Sequence, residues 1–179
     1  MNIYITRHGE TRLNKGEVMQ GRVDEPLSEV GIAQAYETKE KLKDIKFDAI
    51  ISSPLTRARQ TASIISGLPE EDLILDERII EVSFGKYELK SYRKLGLWMT
   101  AYWVLPEIIP APPGVENIKS MVTRSRSFFE DLKKKDYENV LIVCHGGIIR
   151  ALCGVLEHKF RGIKCRPIPK NCEVRKYEL

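Results

Sequence analysis

Twice the chain runs an apolar, β-branched segment straight into a histidine and a glycine. NIYITRHGE carries Ile3–Thr6 into Arg7-His8-Gly9, and NVLIVCHGGIIRAL carries Val140–Cys144 into His145-Gly146-Gly147. A short run that is apolar at nearly every position suits a strand buried on both faces, and such strands belong to parallel sheets covered by helices. A third run, DAIIS at Asp48–Ser52, leads into SSPLTRARQTA. Strands alternating with helix-like stretches restrict the fold to the α/β class. The expectation is a three-layer α/β/α arrangement, with a mostly parallel central sheet and helices on both faces.

The intervening stretches carry helix signals. Ser28 is placed to N-cap a helix through LSEVGIAQAYETKEKL, with Ile32, Ala35, Tyr36 and Leu42 on one face. In SSPLTRARQTASIISG, Ser53 is placed as N-cap, Pro54 at the first helical position and Gly67 as the stop. The spacing of Ile118, Met121, Val122, Ser125, Phe128, Phe129 and Leu132 predicts one buried helical stripe. CEVRKYEL at the C-terminus alternates as an edge strand does. The segment at about 86–113 breaks the pattern: Trp98, Tyr102 and Trp103 precede Pro106, Pro110, Pro112 and Pro113. It reads as a short helical cap insertion with a proline-stiffened return, set into a single domain spanning 1–179. For any one of its aromatics, packing on the core is the simpler expectation.

At 179 residues, the chain is long enough to bury a large core. A net charge of +4, with basic residues spread among acids, argues against a nucleic-acid partner. The cysteines (Cys144, Cys153, Cys165, Cys172) form no C-x-x-C pair, which suits a reduced, cytoplasmic protein. Cys144 abuts His145, but no paired-ligand spacing supports a metal. Arg7 interrupts the N-terminal apolar run, so no signal peptide is expected. GLWMTAYWVL is too short to span a bilayer, so no membrane partner is expected either.

In open α/β sheets, ligands bind beyond the carboxyl ends of the strands. Here those ends present Arg7-His8-Gly9, then Arg57 in the first turn of a helix, then His145-Gly146-Gly147. A lone histidine at a strand end is more often structural than catalytic. A lone arginine in a first helical turn is usually solvated, and a glycine pair alone makes a tight turn. The conjunction is what informs: guanidiniums grip oxyanions bidentately, and helix N-termini add free N–H groups. Three strand ends together describe an anion site.

TRHGET, QGRVDEPLSEVGIAQA, SSPLTRARQTA, IIEVSFGKYE and VCHGGIIRAL resemble, in order, the signatures of the histidine phosphatase superfamily. That group includes cofactor-dependent phosphoglycerate mutases and many small phosphatases. The likeness covers nearly all of the chain outside 86–113. It implies that His8 is the nucleophile that becomes phosphohistidine, and that Arg7, Arg57 and His145 hold the phosphate oxygens. Asn14 and the backbone at Gly146 would assist, Gln20-Gly21 would line the pocket, and Glu81 would donate a proton to the leaving oxygen. Glu88 is a rival acid; Glu81, just upstream of Phe84-Gly85, has the better motif position. Such chemistry needs a neutral histidine pinned at one ring nitrogen, a Gly9 that lets the backbone turn close to it, and a setting that keeps Glu81 protonated. It asks for no metal and no cofactor.

A mutase has a basic residue directly after the acid, whereas Val82 and Ser83 follow Glu81. Lys86, Lys90, Arg93 and Lys94 would have to reach the pocket to hold a second anionic group. Trp98, Tyr102 and Trp103 favour a more apolar leaving group. The expectation is a phosphatase acting on a small-molecule phosphomonoester, with a phosphoglycerate mutase second and a non-catalytic phospho-ligand binder third; a homodimer is left open. Two departures border the insertion. Leu89 stands where the family usually has glycine, and Gly114-Val115-Glu116-Asn117 replaces its Gly-Glu-Ser.

Overall fold

A computed structural model describes residues 1–164 and 169–179; Cys165 lies outside the described residues. Strands β1 (Asn2–Arg7), β2 (Ala49–Ser52), β3 (Ile74–Leu75), β4 (Asn139–Cys144) and β5 (Val174–Glu178) form one sheet in the order β3-β2-β4-β1-β5. β1, β2, β3 and β4 run parallel, and β5 closes the β1 edge antiparallel. This is the mostly parallel sheet, with a C-terminal edge strand, that the apolar runs imply.

Successive strand residues point to opposite faces, and both faces are buried. Ile3, Ile5, Ile51, Val140 and Ile142 share one cluster with Met121, Val122, Phe128, Phe129 and Leu132 of α5 (Ile118–Leu132) and with Ile148, Ile149 and Leu152 of α6 (Ile148–Leu156). Tyr4, Ile50, Leu141 and Val143 share another with Ala35 and Leu42 of α2 (Glu29–Leu42) and with Ala58, Ala62 and Ile65 of α3 (Thr56–Ser66). The α5 stripe is the one the spacing predicts, with Ile118 at its half-buried edge.

Two helix expectations fail for physical reasons. In α2 the buried face is Gly31, Ala35, Thr38 and Leu42, while Ile32 and Tyr36 are 40% and 55% exposed. Gly31 sits so close to Glu10 that a Cβ would run into its carbonyl oxygen, and this backbone approach sets the helix's rotation. α3 starts at Thr56 rather than at Pro54. Ser53 is still on the sheet, its N–H donating to Val143 at 3.0 Å, and its hydroxyl is engaged elsewhere. Asp24 caps α3 from a distant loop, accepting from Thr56 N and Oγ1, both at 2.8 Å. Gly67, at φ 78°, ends the helix as expected.

The insertion contains α4 (Gly96–Val104) and a proline-rich return. Trp98 is exposed and donates to Pro110 O, whereas Tyr102 is buried and donates to Glu116 O at 2.8 Å. Near the start of the same segment, Leu89 holds φ 63°, the left-handed region that disfavours a side chain. A glycine, which the resemblance leads one to expect there, would hold this φ without strain. Leu89→Gly is expected to raise stability by up to about 1 kcal/mol, read as a higher Tm with unchanged activity.

β4 lies between β1 and β2, and Arg7 pairs with Cys144 while Ser52 pairs with Val143. His8, Ser53 and His145 therefore leave the sheet side by side. The His8 N–H donates to Cys144 O at 3.0 Å. Topology alone brings the three segments together.

Candidate active site

His8 is buried, and its Nδ1–H donates to Gly9 O at 2.7 Å, which leaves the Nε2 lone pair for chemistry. Gly9 is needed for a different reason than a turn at the ring. A Cβ there would meet the Gly31 carbonyl, and the Gly9 N–H donates to Thr61 Oγ1 at 3.0 Å. Beneath the ring lies the fully buried Arg57. Its Nη1 and Nη2 donate to Val23 O and Gly21 O at 2.7 and 2.8 Å. Its Nε–H is shared between His8 Nε2 at 3.3 Å and His145 Nδ1 at 3.2 Å. His145 therefore carries its proton on Nε2, which donates to Ser53 Oγ at 2.7 Å.

Burial first, and then the Arg57 and Arg7 guanidiniums, hold both imidazoles well below the ordinary imidazole value. Both are neutral near pH 7. The unfolded chain regains protons below its imidazole value of about 6.5, while the folded chain does not. Stability is thus fully present above pH 6.5 and is lost as pH falls, by about 1.4 kcal/mol per pH unit for each histidine until its folded value is reached. A Tm that does not fall from pH 6.5 to 5 would contradict this.

Arg7, His8, Asn14, Gln20, Gly21, Glu81 and Gly146 line one cavity of about 210 Å³, joined by Met19, Phe84, Tyr92, Trp103 and Gly147. Arg7 Nη1 donates to Pro169 O at 3.3 Å, and its buried Nε has no hydrogen-bond partner among the described residues. Arg7 lines the cavity, and a guanidinium there suits an incoming oxyanion. Asn14 and Gln20 are both fixed by Thr11, whose N–H donates to Asn14 Oδ1 at 3.2 Å and whose hydroxyl donates to Gln20 Oε1 at 3.0 Å. Arg57 and His145 are not among the residues that line the cavity; Arg57 meets the site through the two imidazoles.

Glu81 is anchored at the start of α6. Its Oε1 accepts from Val82 N at 2.8 Å and Ile148 N at 3.0 Å, and its Oε2 accepts from Gly147 N at 3.0 Å. A Cβ on Gly147 would come within 2.5 Å of Oε1, so glycine is what admits the carboxyl group. Glu88 is occupied elsewhere, accepting from Phe84 N at 2.9 Å and Arg22 N at 3.2 Å.

A network absent from the sequence reading braces the Glu81 segment. Arg124 donates to Ile80 O at 2.7 Å and pairs with Glu116 at 2.9 Å. Arg22 donates to Glu81 O at 3.1 Å, and the Glu116 N–H donates to Ser83 O at 2.9 Å. Burial pushes Glu116 up, but its bonds to Arg124 outweigh this, and its pKa lies below the usual carboxylate value. Asn171, also missed, donates to His8 O at 2.8 Å. Ser53, Tyr92, Asn171 and Glu116 carry no signal of their own in one sequence; only the fold brings them here.

A family model described as the histidine phosphatase superfamily (branch 1) matches residues 3–179. The chain belongs to the histidine phosphatase superfamily. This histidine phosphatase is 35% identical over 160 residues to a candidate phosphoserine phosphatase 2 of Hydrogenobacter thermophilus, covering 86% of this chain and 77% of that one. It is 39% identical over 138 residues to the fructose-2,6-bisphosphatase TIGAR of Bos taurus, covering 72% of this chain but only about half (49%) of that relative's length. The structure of Bacillus stearothermophilus YhfR superposes with a TM-score of 0.86 at 28% identity, covering 99% of this chain and 91% of that one. The chain is a phosphatase of this superfamily, and a phosphohistidine mechanism is consistent with that membership. No helix among the described residues is long and apolar enough to cross a membrane.

Proposed function

We propose that this phosphatase hydrolyses small phosphomonoesters without a metal, through a phosphoryl group carried on His8 Nε2. Arg7 and the amides of Asn14 and Gln20 receive the phosphoryl oxygens in the cavity, with the Gly146 backbone assisting. Arg57 and His145 join them through the Arg57 Nε–H, which reaches both imidazoles. Nε2 attacks phosphorus in line as the P–O bond to the alcohol breaks, and a proton on Glu81 passes to the departing oxygen. Glu81, now a carboxylate, takes a proton from the water that attacks phosphohistidine, and phosphate leaves from a neutral His8. The 2.7 Å bond from Nδ1 to Gly9 O carries this reading, because it pins the tautomer that leaves Nε2 unprotonated, with the Arg57 Nε–H at 3.3 Å as its one hydrogen-bond donor among the described residues. The 86–113 segment acts as a cap within a single domain.

The mutase reading gains no support from the insertion's first basic residues. Lys86 and Lys90 sit over the Tyr87 ring at 5.6 and 5.4 Å, and Arg93 pairs with Glu17 at 3.3 Å. The test is phosphate release from p-nitrophenyl phosphate with excess chelator, alongside 3-phosphoglycerate with and without its bisphosphate. Hydrolysis that survives the chelator and passes through an acid-labile phosphoenzyme is expected. Loss of activity to the chelator, or phosphoglycerate interconversion without net release, would overturn the reading.

A further inference from the structure

Beyond the phosphoryl end, the cavity wall is aromatic: Phe84, Tyr92 and Trp103, with Met19 beside them. Phe84 and Trp103 meet edge to face, their ring centroids 5.3 Å apart. Trp103 lies in the last turn of α4, where backbone carbonyls lack helical partners. Its carbonyl accepts from Arg150 Nη1 at 3.0 Å, and the same guanidinium lies 5.2 Å from the centre of the indole ring. A cation at a helix C-terminus and over an indole face is favourable in both respects.

Arg150 is unusual in its own right. It is only 3% exposed, and its Nε has no hydrogen-bond partner among the described residues. No described carboxylate pairs with it. Burying a cation this way is costly, and a methionine of similar length would fill the space without that cost. What the guanidinium adds is orientation: it fixes one indole to α6, three residues after the Gly147 that anchors Glu81. The aromatic wall is thereby held in register with the reacting centre.

We propose that Trp103, held by Arg150 against Phe84, forms the leaving-group subsite, and that it selects phosphomonoesters whose alcohol carries a flat or apolar group over those of small charged alcohols such as phosphoserine. Arg150 acts through Trp103 and is a positioning residue. The proposal rests on the hydrolase reading for its kinetic arm only.

The test compares 2-phenylethyl phosphate, ethyl phosphate and O-phosphoserine; the alcohols of the first two differ little in acidity, and the serine hydroxyl, made more acidic by its ammonium group, biases bond cleavage against the expected preference. The wild-type protein is expected to prefer the phenylethyl ester over both others by at least about tenfold in kcat/KM, mainly through KM. Trp103→Ala and Arg150→Met should each pull the phenylethyl-to-ethyl ratio towards one, and Arg150→Lys should restore part of it. The chain has two tryptophans, so Trp98→Phe leaves Trp103 as the sole tryptophan, excited selectively at wavelengths tyrosine does not absorb. In that background its emission should shift on addition of 2-phenylethyl phosphate at lower concentration than of ethyl phosphate, and Arg150→Met should weaken the response. This second arm reads the subsite even if no ester is hydrolysed, an outcome that would defeat the hydrolase reading alone. A wild-type preference for phosphoserine, a ratio near one, or variants that keep the wild-type ratio and emission response would overturn the proposal.

Discussion

His8→Ala is expected to abolish the phosphoenzyme and to lower hydrolysis by at least about four orders of magnitude, while binding of the phosphomonoester survives. The reason lies in how the site divides its work. Of the two site histidines, only His8 lines the cavity and has its Nδ1 pinned, which leaves Nε2 unprotonated. His145 cannot substitute: its Nε2 carries the proton and donates to Ser53, and it is not among the residues that line the cavity. Removing the His8 ring takes away one of the two acceptors of the Arg57 Nε–H but leaves both Nη bonds to Val23 and Gly21 intact. Arg57 therefore stays in place, and Arg7 keeps its bond from Nη1 to Pro169 O. Equilibrium binding of a slow substrate, measured beside single-turnover phosphoenzyme formation, separates the two functions. Turnover near the wild-type rate would move the nucleophile elsewhere. Loss of binding together with turnover would make His8 part of the scaffold.

This division of work also explains what one sequence reveals. The strand ends are legible because a buried parallel strand must be apolar throughout, and because β4 between β1 and β2 leaves their C-terminal residues side by side. Arg7, His8, Arg57 and His145 could be named for that reason. The face of α2 was not legible: Gly31 packs by backbone approach, which hydropathy does not encode, and so Ile32 and Tyr36 fall outside. Ser53 carries two compatible readings, helix cap and imidazole acceptor, and only the ladder bond from its N–H to Val143 decides between them. β3 spans two exposed residues, too few for any periodicity. The clamp of Arg22, Arg124 and Glu116 on the Glu81 segment joins residues as far as 94 positions apart. No local pattern announces such a junction.

Glu81→Gln is expected to slow alkyl phosphomonoesters by about a hundred to ten thousand fold and p-nitrophenyl phosphate by much less, because the nitrophenolate leaves without needing a proton. The anchoring of Glu81 sharpens this. Oε1 already accepts two backbone N–H bonds and Oε2 one, so Oε2 is the oxygen with room for a transferable proton. A glutamine keeps the shape but must turn an NH2 towards one of those donors. Either Gly147 N, or Val82 N and Ile148 N together, then lose their acceptor, at a cost of about 1–3 kcal/mol for each buried group left unpaired. The variant should thus melt lower as well as react more slowly, and a fall in rate alone would not identify the acid. The dependence on the leaving group does, since a general loss of stability or of cavity shape lowers both substrates alike. Equal losses on both would place the proton donor elsewhere. Tyr92, which lines the same cavity, would be the next candidate, ahead of Glu88, whose Oε1 is held by Phe84 and Arg22.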